Sequence, residues 1–223
     1  MIRWEHVDWV FLDMDGTLLD LHFDNHFWLH LVPEQLARRD FSHLPFDQAI
    51  DASRAAVYER YQSVQGTLDW YSTEYWDQTL QLPIMELSQQ QQHRIRYRFD
   101  SEAFLQWLKQ QNKQVVILTN AHPDNLHLKH QVTGLLDYVD MAISAHQVKY
   151  PKENPLFWPA LSQHLPFDPN RTLLIDDNES VLSTAAAAGI AQVLCISQPD
   201  TTQQSRMIPD FPAITCFHEI IQP

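Results

Sequence analysis

Cysteine is almost missing from the 223 residues: Cys195 and Cys216 are the only two, and Cys195 lies inside the apolar run QVLCIS. So small a number excludes a disulfide framework, and two free, structural thiols are expected. Cations are scarce as well. Fifteen Lys and Arg stand against 28 Asp and Glu, a formal charge of −13 with His neutral. A surface of that sign repels nucleic acid polymers and anionic membranes, although a few local cations can overrule the mean field for a small anion. No apolar run reaches the length of a membrane span, and the opening MIRWEHVDWV lacks the apolar core of a signal peptide. A soluble, cytoplasmic protein is expected. Glycine occurs only four times, so its placement is informative.

Apolar residues make up 44% of the chain and aromatics 11%, enough to bury a real core and to exclude intrinsic disorder. Five short runs read as strands: Val7 to Leu12, Gln114 to Leu118, Tyr138 to Ser144, Arg171 to Ile175 and Gln192 to Ile196. They are apolar and β-branched without clean alternation, the pattern of parallel strands covered on both faces. Helical patterns lie between them. SEAFLQWLKQQN opens on Ser101 as the expected N-cap, and ESVLSTAAAAG stops at Gly189. The alternation predicts an α/β fold with a doubly wound, Rossmann-like parallel sheet. Residues 21–95 interrupt it with three helical patterns and no strand-like run. We therefore expect residues 1–20 and 96–223 to form an α/β core and residues 21–95 a helical insertion after the first strand. The Gln run at 88–93 reads as a helix end or a solvated connection.

One of the four glycines follows WVFLDMD, where a buried strand delivers two carboxylates, Asp13 and Asp15, a single residue apart. The arrangement is locally unfavourable, so it asks for a chemical reason. In an open α/β sheet, ligands bind beyond the carboxyl ends of the strands. The polar residues at those ends are Asp13, Asp15, Gly16 and Thr17; Thr119 and Asn120; Lys149 and Lys152; and Asp176 and Asp177. Acid, hydroxyl, amide and lysine converging on one point can hold Mg²⁺ and a phosphoryl group together. Taken alone, Asp13 and Asp15 fit an ordinary turn, and Asp before the Ala-rich helix fits an N-cap. Their joint placement at strand ends is what favours a site.

With DMDGT, the Thr119–Asn120 pair, the lysine of YPKENP, and IDDNE in that order, the chain resembles the haloacid dehalogenase superfamily of aspartate-nucleophile phosphatases. LLDLHFDNHFWLHLVPE, TLDWYSTEYW, LTNAHPDNL and YPKENP resemble, more narrowly, its GMP/IMP nucleotidase branch. The resemblance implies a helical cap at residues 21–95, Mg²⁺ as cofactor, and a purine nucleoside monophosphate as substrate. A sugar phosphate is the alternative substrate, and a non-catalytic binding protein on the same fold the alternative class. It implies Asp13 as nucleophile and Asp15 as general acid and base, placed on one side of an extended chain by their spacing. Asp13, the Asp15 carbonyl and Asp177 would hold the metal, with Asp176 behind them. Gly16, Thr119, Asn120 and Lys152 would serve the phosphoryl group, leaving Lys149 at the surface. Glu153 stands where many relatives carry proline.

Other residues admit plainer readings. His22, His26 and His30 recur every four residues, a spacing that can bind zinc on a helix, but nothing completes the set and packed or exposed histidines are expected. His122 fits a loop role as well as a substrate contact. Trp70, Tyr71, Tyr75 and Trp76 have the spacing of helix core. Trp70, Tyr75 or Trp76 offering a flat face to a base is the functional alternative, with Asp24 and Asn25 as polar contacts near the mouth.

Overall fold

The computed structural model describes residues 2–221. Six strands, β1 (Trp9–Leu12), β2 (Gln114–Thr119), β3 (Met141–Ser144), β4 (Thr172–Asp176), β5 (Gln192–Ile196) and β6 (Ala213–Ile214), form one sheet in the order β3-β2-β1-β4-β5-β6. Every pairing is parallel, as expected of a doubly wound α/β fold. Alternate residues serve two layers: Val10, Leu12, Val115, Ile117, Leu173 and Ile175 join Phe104, Leu108 and Phe217. Phe11, Val116, Leu118 and Leu174 join Phe157, Trp158, Leu161 and Val181 on the other side. Burial on both faces is why these strands read as apolar runs.

The helices are α1 (His22–His26), α2 (Val32–Asp40), α3 (Phe46–Val64), α4 (Thr73–Leu80), α5 (Ile84–Gln90), α6 (Ser101–Gln110), α7 (Pro123–Thr133), α8 (Ala145–Val148), α9 (Phe157–His164) and α10 (Glu179–Ala187). Helices α1 to α5 follow one another with no sheet strand between them and gather a separate apolar cluster around Phe27, Leu36, Val57, Trp76 and Ile84. Between α1 and α2, residues Phe27–Leu31 form a π turn, with the Val32 N–H donating to the Phe27 carbonyl. Pro33 follows directly and has no N–H to continue the α pattern. No helix among the described residues is long and apolar enough to cross a membrane.

Several sequence expectations need correction. The first strand starts at Trp9 rather than Val7, because Trp4–His6 form a 3₁₀ turn and the Asp8 N–H goes to the Arg171 carbonyl. The third starts at Met141 rather than Tyr138, since Leu135–Tyr138 are a second 3₁₀ turn. Ser101 is the first residue of α6 and not its cap. Asp100 holds the cap position, and its carboxylate accepts instead from the His218 N–H at 2.7 Å. Strand β6 and helix α8 were not anticipated.

The chain leaves the sheet layer and returns to it through paired stretches. The Arg98 N–H donates to the Leu18 carbonyl and the Asp20 N–H to the Arg96 carbonyl, both at 3.0 Å. Asp20 is buried and accepts from Arg96 at 2.9 Å, from the Thr201 hydroxyl, and from the His22 and Thr201 amides. Burial opposes its charge, but these donors outweigh it and hold the carboxyl below its ordinary value of 3.8. Asp20→Asn should therefore lower stability by about 1.5–3 kcal/mol at neutral pH, the range for hydrogen bonds to a charged group. The native carboxylate contributes fully above its unfolded value and loses that contribution as pH falls through the lower folded value. Urea melts of the two proteins should differ at pH 7 and converge in strong acid; a difference independent of pH would contradict the assignment.

Candidate active site

Leu12 pairs with Ile117 on one side and Ile175 on the other, so the residues that follow these three strands stand at one level. They open onto a cavity of about 290 Å³. Asp13, Asp15, Thr119, Asn120, Lys152, Asp176 and Asp177 line its floor, and Asp24, Trp28, Tyr61, Trp70, Tyr71 and Trp76 from the helical segment line the opposite wall. Gly16 stands at φ +80°, and a Cβ there would lie 2.9 Å from the Asp177 Cγ. Its N–H is committed to the Leu19 carbonyl at 2.8 Å. Glycine is thus required by the close approach of Asp177.

Lys152 is 2% exposed. Its ammonium donates to Asp13 Oδ1 at 2.5 Å, to Asp176 Oδ2 at 2.6 Å and to the Leu118 carbonyl at 3.0 Å. These use all three of its protons, so it fixes the Asp13 carboxylate and would act on a phosphoryl group through its field rather than a direct bond. Burial works against the ammonium, but Asp13 and Asp176 together outweigh it and keep it protonated. Lys149 is exposed and ends α8 in the left-handed conformation.

Asn120 was expected to meet the phosphoryl group with its amide. Both ends are instead engaged: Nδ2 donates to Glu153 Oε2 and Oδ1 accepts from the Lys152 N–H, each at 2.8 Å. Asn120 therefore holds the lysine loop in place. Glu153 also accepts from the Tyr71 hydroxyl at 2.9 Å, tying the helical segment to that loop. Thr119 lies at the end of β2 with its oxygen accepting from the Ala121 N–H.

Asp13, Asp176 and Asp177 bring one carboxylate oxygen each within 4.8 Å of one another, the one group among the described residues that gathers three potential metal ligands. Burial, with repulsion from Asp176, pushes the Asp177 carboxyl up to about 7. Burial likewise drives Asp13 well above the usual carboxylate range, against the pull of Lys152. A largely buried carboxylate trio with one lysine beside it carries surplus negative charge and offers only oxygen donors, which suits a small divalent cation such as Mg²⁺. Asp176 has both oxygens engaged, by Lys152 and by the Asn178 N–H, which leaves Asp13 and Asp177 the freer ligands. Asn178, rather than either aspartate, is the N-cap of α10.

The helical segment corrects three expectations. Asn25 does not line this cavity; it donates to Asp200 at 2.8 Å. Tyr75 does not line it either; Trp76 does, but it is 1% exposed with its indole N–H on the Trp70 carbonyl, so it has almost no open face to offer. Periodicity put these residues on an apolar face without saying what that face covers. Trp28 and Tyr61, which the sequence did not single out, complete the wall with Trp70 and Tyr71. His22 lies tilted against His26 and His26 stacks on His30, with centroids 6.2 and 5.5 Å apart, and His122 meets Thr73 and Glu74 of the helical segment.

Lys129, on α7, was also missed. It is 2% exposed and bonds Asp15 at 2.6 Å and both oxygens of Asp24 at 2.9 Å. Burial opposes its charge, but Asp15 and Asp24 outweigh it. Asp24 itself is pushed up to about 6, chiefly by burial and then by Asp15. The only trace of this in the sequence is that Lys129 falls three residues after Leu126, which packs against the core cluster.

A family model described as haloacid dehalogenase-like hydrolase matches residues 7–189. Over 222 residues, 99% of this chain and 96% of its relative, the sequence is 39% identical to the GMP/IMP nucleotidase YrfG of Escherichia coli (strain K12), and equally to the protein of that name in Shigella flexneri. Among solved structures, a HAD phosphatase from Thermococcus onnurineus superposes with a TM-score of 0.76 at 22% identity, covering 96% of each chain. The L-2-haloacid dehalogenase from Xanthobacter autotrophicus gives 0.55 at 19% identity over 86% of this chain and 78% of that one.

Proposed function

We propose, since this chain belongs to the haloacid dehalogenase-like hydrolase family, that it hydrolyses purine 5′-mononucleotides through an aspartyl phosphate formed on Asp13. The chain is a phosphatase similar along its whole length to GMP/IMP nucleotidases. What carries the reading is one convergence: Asp13, Asp15 and Asp177 meet Thr119 and Lys152 on the cavity floor, opposite a wall of aromatic rings.

Asp13, oriented by Lys152, would attack phosphorus while Asp15 gives its proton to the departing alcohol. Asp15 would then take a proton from water, whose oxygen attacks phosphorus and frees Asp13, so that one difficult displacement becomes two. Thr119, its oxygen already held by the Ala121 N–H, would donate its hydroxyl proton to a phosphoryl oxygen. Asp13, Asp177 and the Asp15 carbonyl would hold Mg²⁺, which when bound supplies positive charge that lets a phosphate approach these carboxylates. We take residues 21–95 as a cap over a core of residues 1–20 and 96–223. The two free thiols suit the cytoplasm.

Phosphate release from IMP and GMP should require Mg²⁺, stop in EDTA and exceed that from pyrimidine nucleotides and sugar phosphates. Preference for a sugar phosphate would overturn the purine assignment, and full activity in EDTA the metal. Trp28, Trp70 and Tyr71 keep exposed surface for a base. Trp70→Ala should lower kcat/KM for IMP by roughly 5- to 150-fold, the equivalent of about 1–3 kcal/mol of stacking, and leave a small aryl phosphate nearly unaffected. Trp76→Ala should instead destabilise the protein by about 3–5 kcal/mol. Parallel losses on both esters in folded Trp70→Ala would make Trp70 part of the packing only.

A further inference from the structure

Each of the two motif carboxylates has its own buried lysine, and the lysine on Asp15 is unexplained by the chemistry above. Lys129 comes from α7 and Asp24 from α1 in the helical segment, and together with Asp15 they form a closed ion triad at the cavity edge. An ammonium has three protons. Asp15 Oδ1 at 2.6 Å and the two oxygens of Asp24 at 2.9 Å account for them, so Lys129 has none left for a phosphate. Its ammonium also lies 5.3 Å from the centroid of the Phe23 ring, again on α1. The lysine is therefore held from the helical segment and itself holds the carboxylate on the sheet side.

The structure assigns Lys129 as the positioning residue of Asp15, and makes that positioning depend on Asp24, so that the acid–base carboxylate is set only when the helical segment is seated. This rests on the reading of Asp15 as general acid and base. Without Lys129, Asp15 and Asp24 would face each other as unpaired like charges, and Asp15 would turn away from the leaving group. Asp24 accordingly belongs to the catalytic machinery through Lys129; its two oxygens are not offered to the base or sugar, as the sequence had suggested.

The test compares Lys129→Met, Lys129→Arg, Asp24→Asn and Asp15→Asn with the native enzyme, on IMP and on an aryl phosphate whose phenolate leaves unaided. Lys129→Met should lower the single-turnover rate of inosine release from IMP by about 10- to 100-fold, part of the 10²–10⁴ that a general acid–base contributes, with KM and the burst of phenolate from the aryl phosphate changed by less than about threefold. Asp24→Asn, the milder change, should move in the same direction, and Lys129→Arg should recover part of the loss. Lys129→Met combined with Asp15→Asn should be no slower on IMP than Asp15→Asn alone. Equal losses of leaving-group release on both esters, or a raised KM with an unchanged release rate, would overturn the inference. So would Lys129→Met that fails to fold together with folded Asp24→Asn that behaves as native. Asp15→Asn slowing leaving-group release equally on both esters would overturn the reading of Asp15 as acid and this inference with it, an outcome distinguishable from failure of Lys129 alone.

Discussion

Asp13→Asn should lower kcat for IMP by at least about 10⁴-fold, the scale on which removal of an attacking group is felt when the remaining machinery stays in place. The amide is nearly the size of the carboxylate but is a poor nucleophile and a poor ligand for a divalent cation. Asp13 is 6% exposed and sits on the Lys152 ammonium, so the substitution removes a buried charge without opening a void. The folded protein should persist, with circular dichroism and urea midpoint near those of the native chain. Turnover above about a hundredth of native in a preparation free of native enzyme would exclude Asp13 as nucleophile. A vanished fold would shift the explanation to the core.

Lys152→Met should combine two losses. The ammonium lies between Asp13 and Asp176 and reaches the Leu118 carbonyl. Methionine keeps the length and the apolar stem but leaves two buried carboxylates without their counter-charge. Breaking a buried pair from one side typically costs about 3–5 kcal/mol, and urea melts in EDTA should register a loss of that size. Activity should fall by about 10³-fold even at saturating substrate, because Asp13 is no longer held for attack and the charge that spreads in phosphoryl transfer loses its nearest fixed cation. Lys149→Met, at the surface, should leave both readouts unchanged. A Lys152→Met enzyme with more than about a tenth of native kcat would contradict the role given to the lysine.

The sheet was legible because its strands are covered on both faces and so carry unbroken apolar runs. Strand β6, two residues long in a turn-rich tail, leaves no such run. Three helical patterns announced α1 to α4 by spacing, while α5 was foreseen only as a helix end at the Gln run. What the pattern could not say was which neighbour each apolar face would meet. Trp76 and Tyr75 therefore looked as available as Trp70, although packing among the helices buries Trp76 almost completely and leaves Tyr75 outside the cavity lining. The same limit explains Lys129 and Asn120. A lysine 114 residues from Asp15 in sequence carries no local sign of its partner, and an amide looks alike whether its donors serve a ligand or the Glu153 carboxylate. Chemistry at the strand ends was visible because sheet register aligns those ends; chemistry that depends on side chains meeting across elements was not.

The central claim is that phosphorus passes through a covalent bond to Asp13. The most direct measurement is to identify the phosphorylated residue in Asp15→Asn, where the second displacement lacks its base and the intermediate should accumulate. An aryl phosphate carrying labelled phosphorus, which needs no acid to leave, would load the enzyme in the presence of Mg²⁺. After acid quenching and proteolysis, the label should be found on the peptide containing Asp13, be released by hydroxylamine as an acyl phosphate is, and be absent when Asp13 is also changed to Asn. Label on another residue, or none while phosphate release continues at the native rate, would contradict the account.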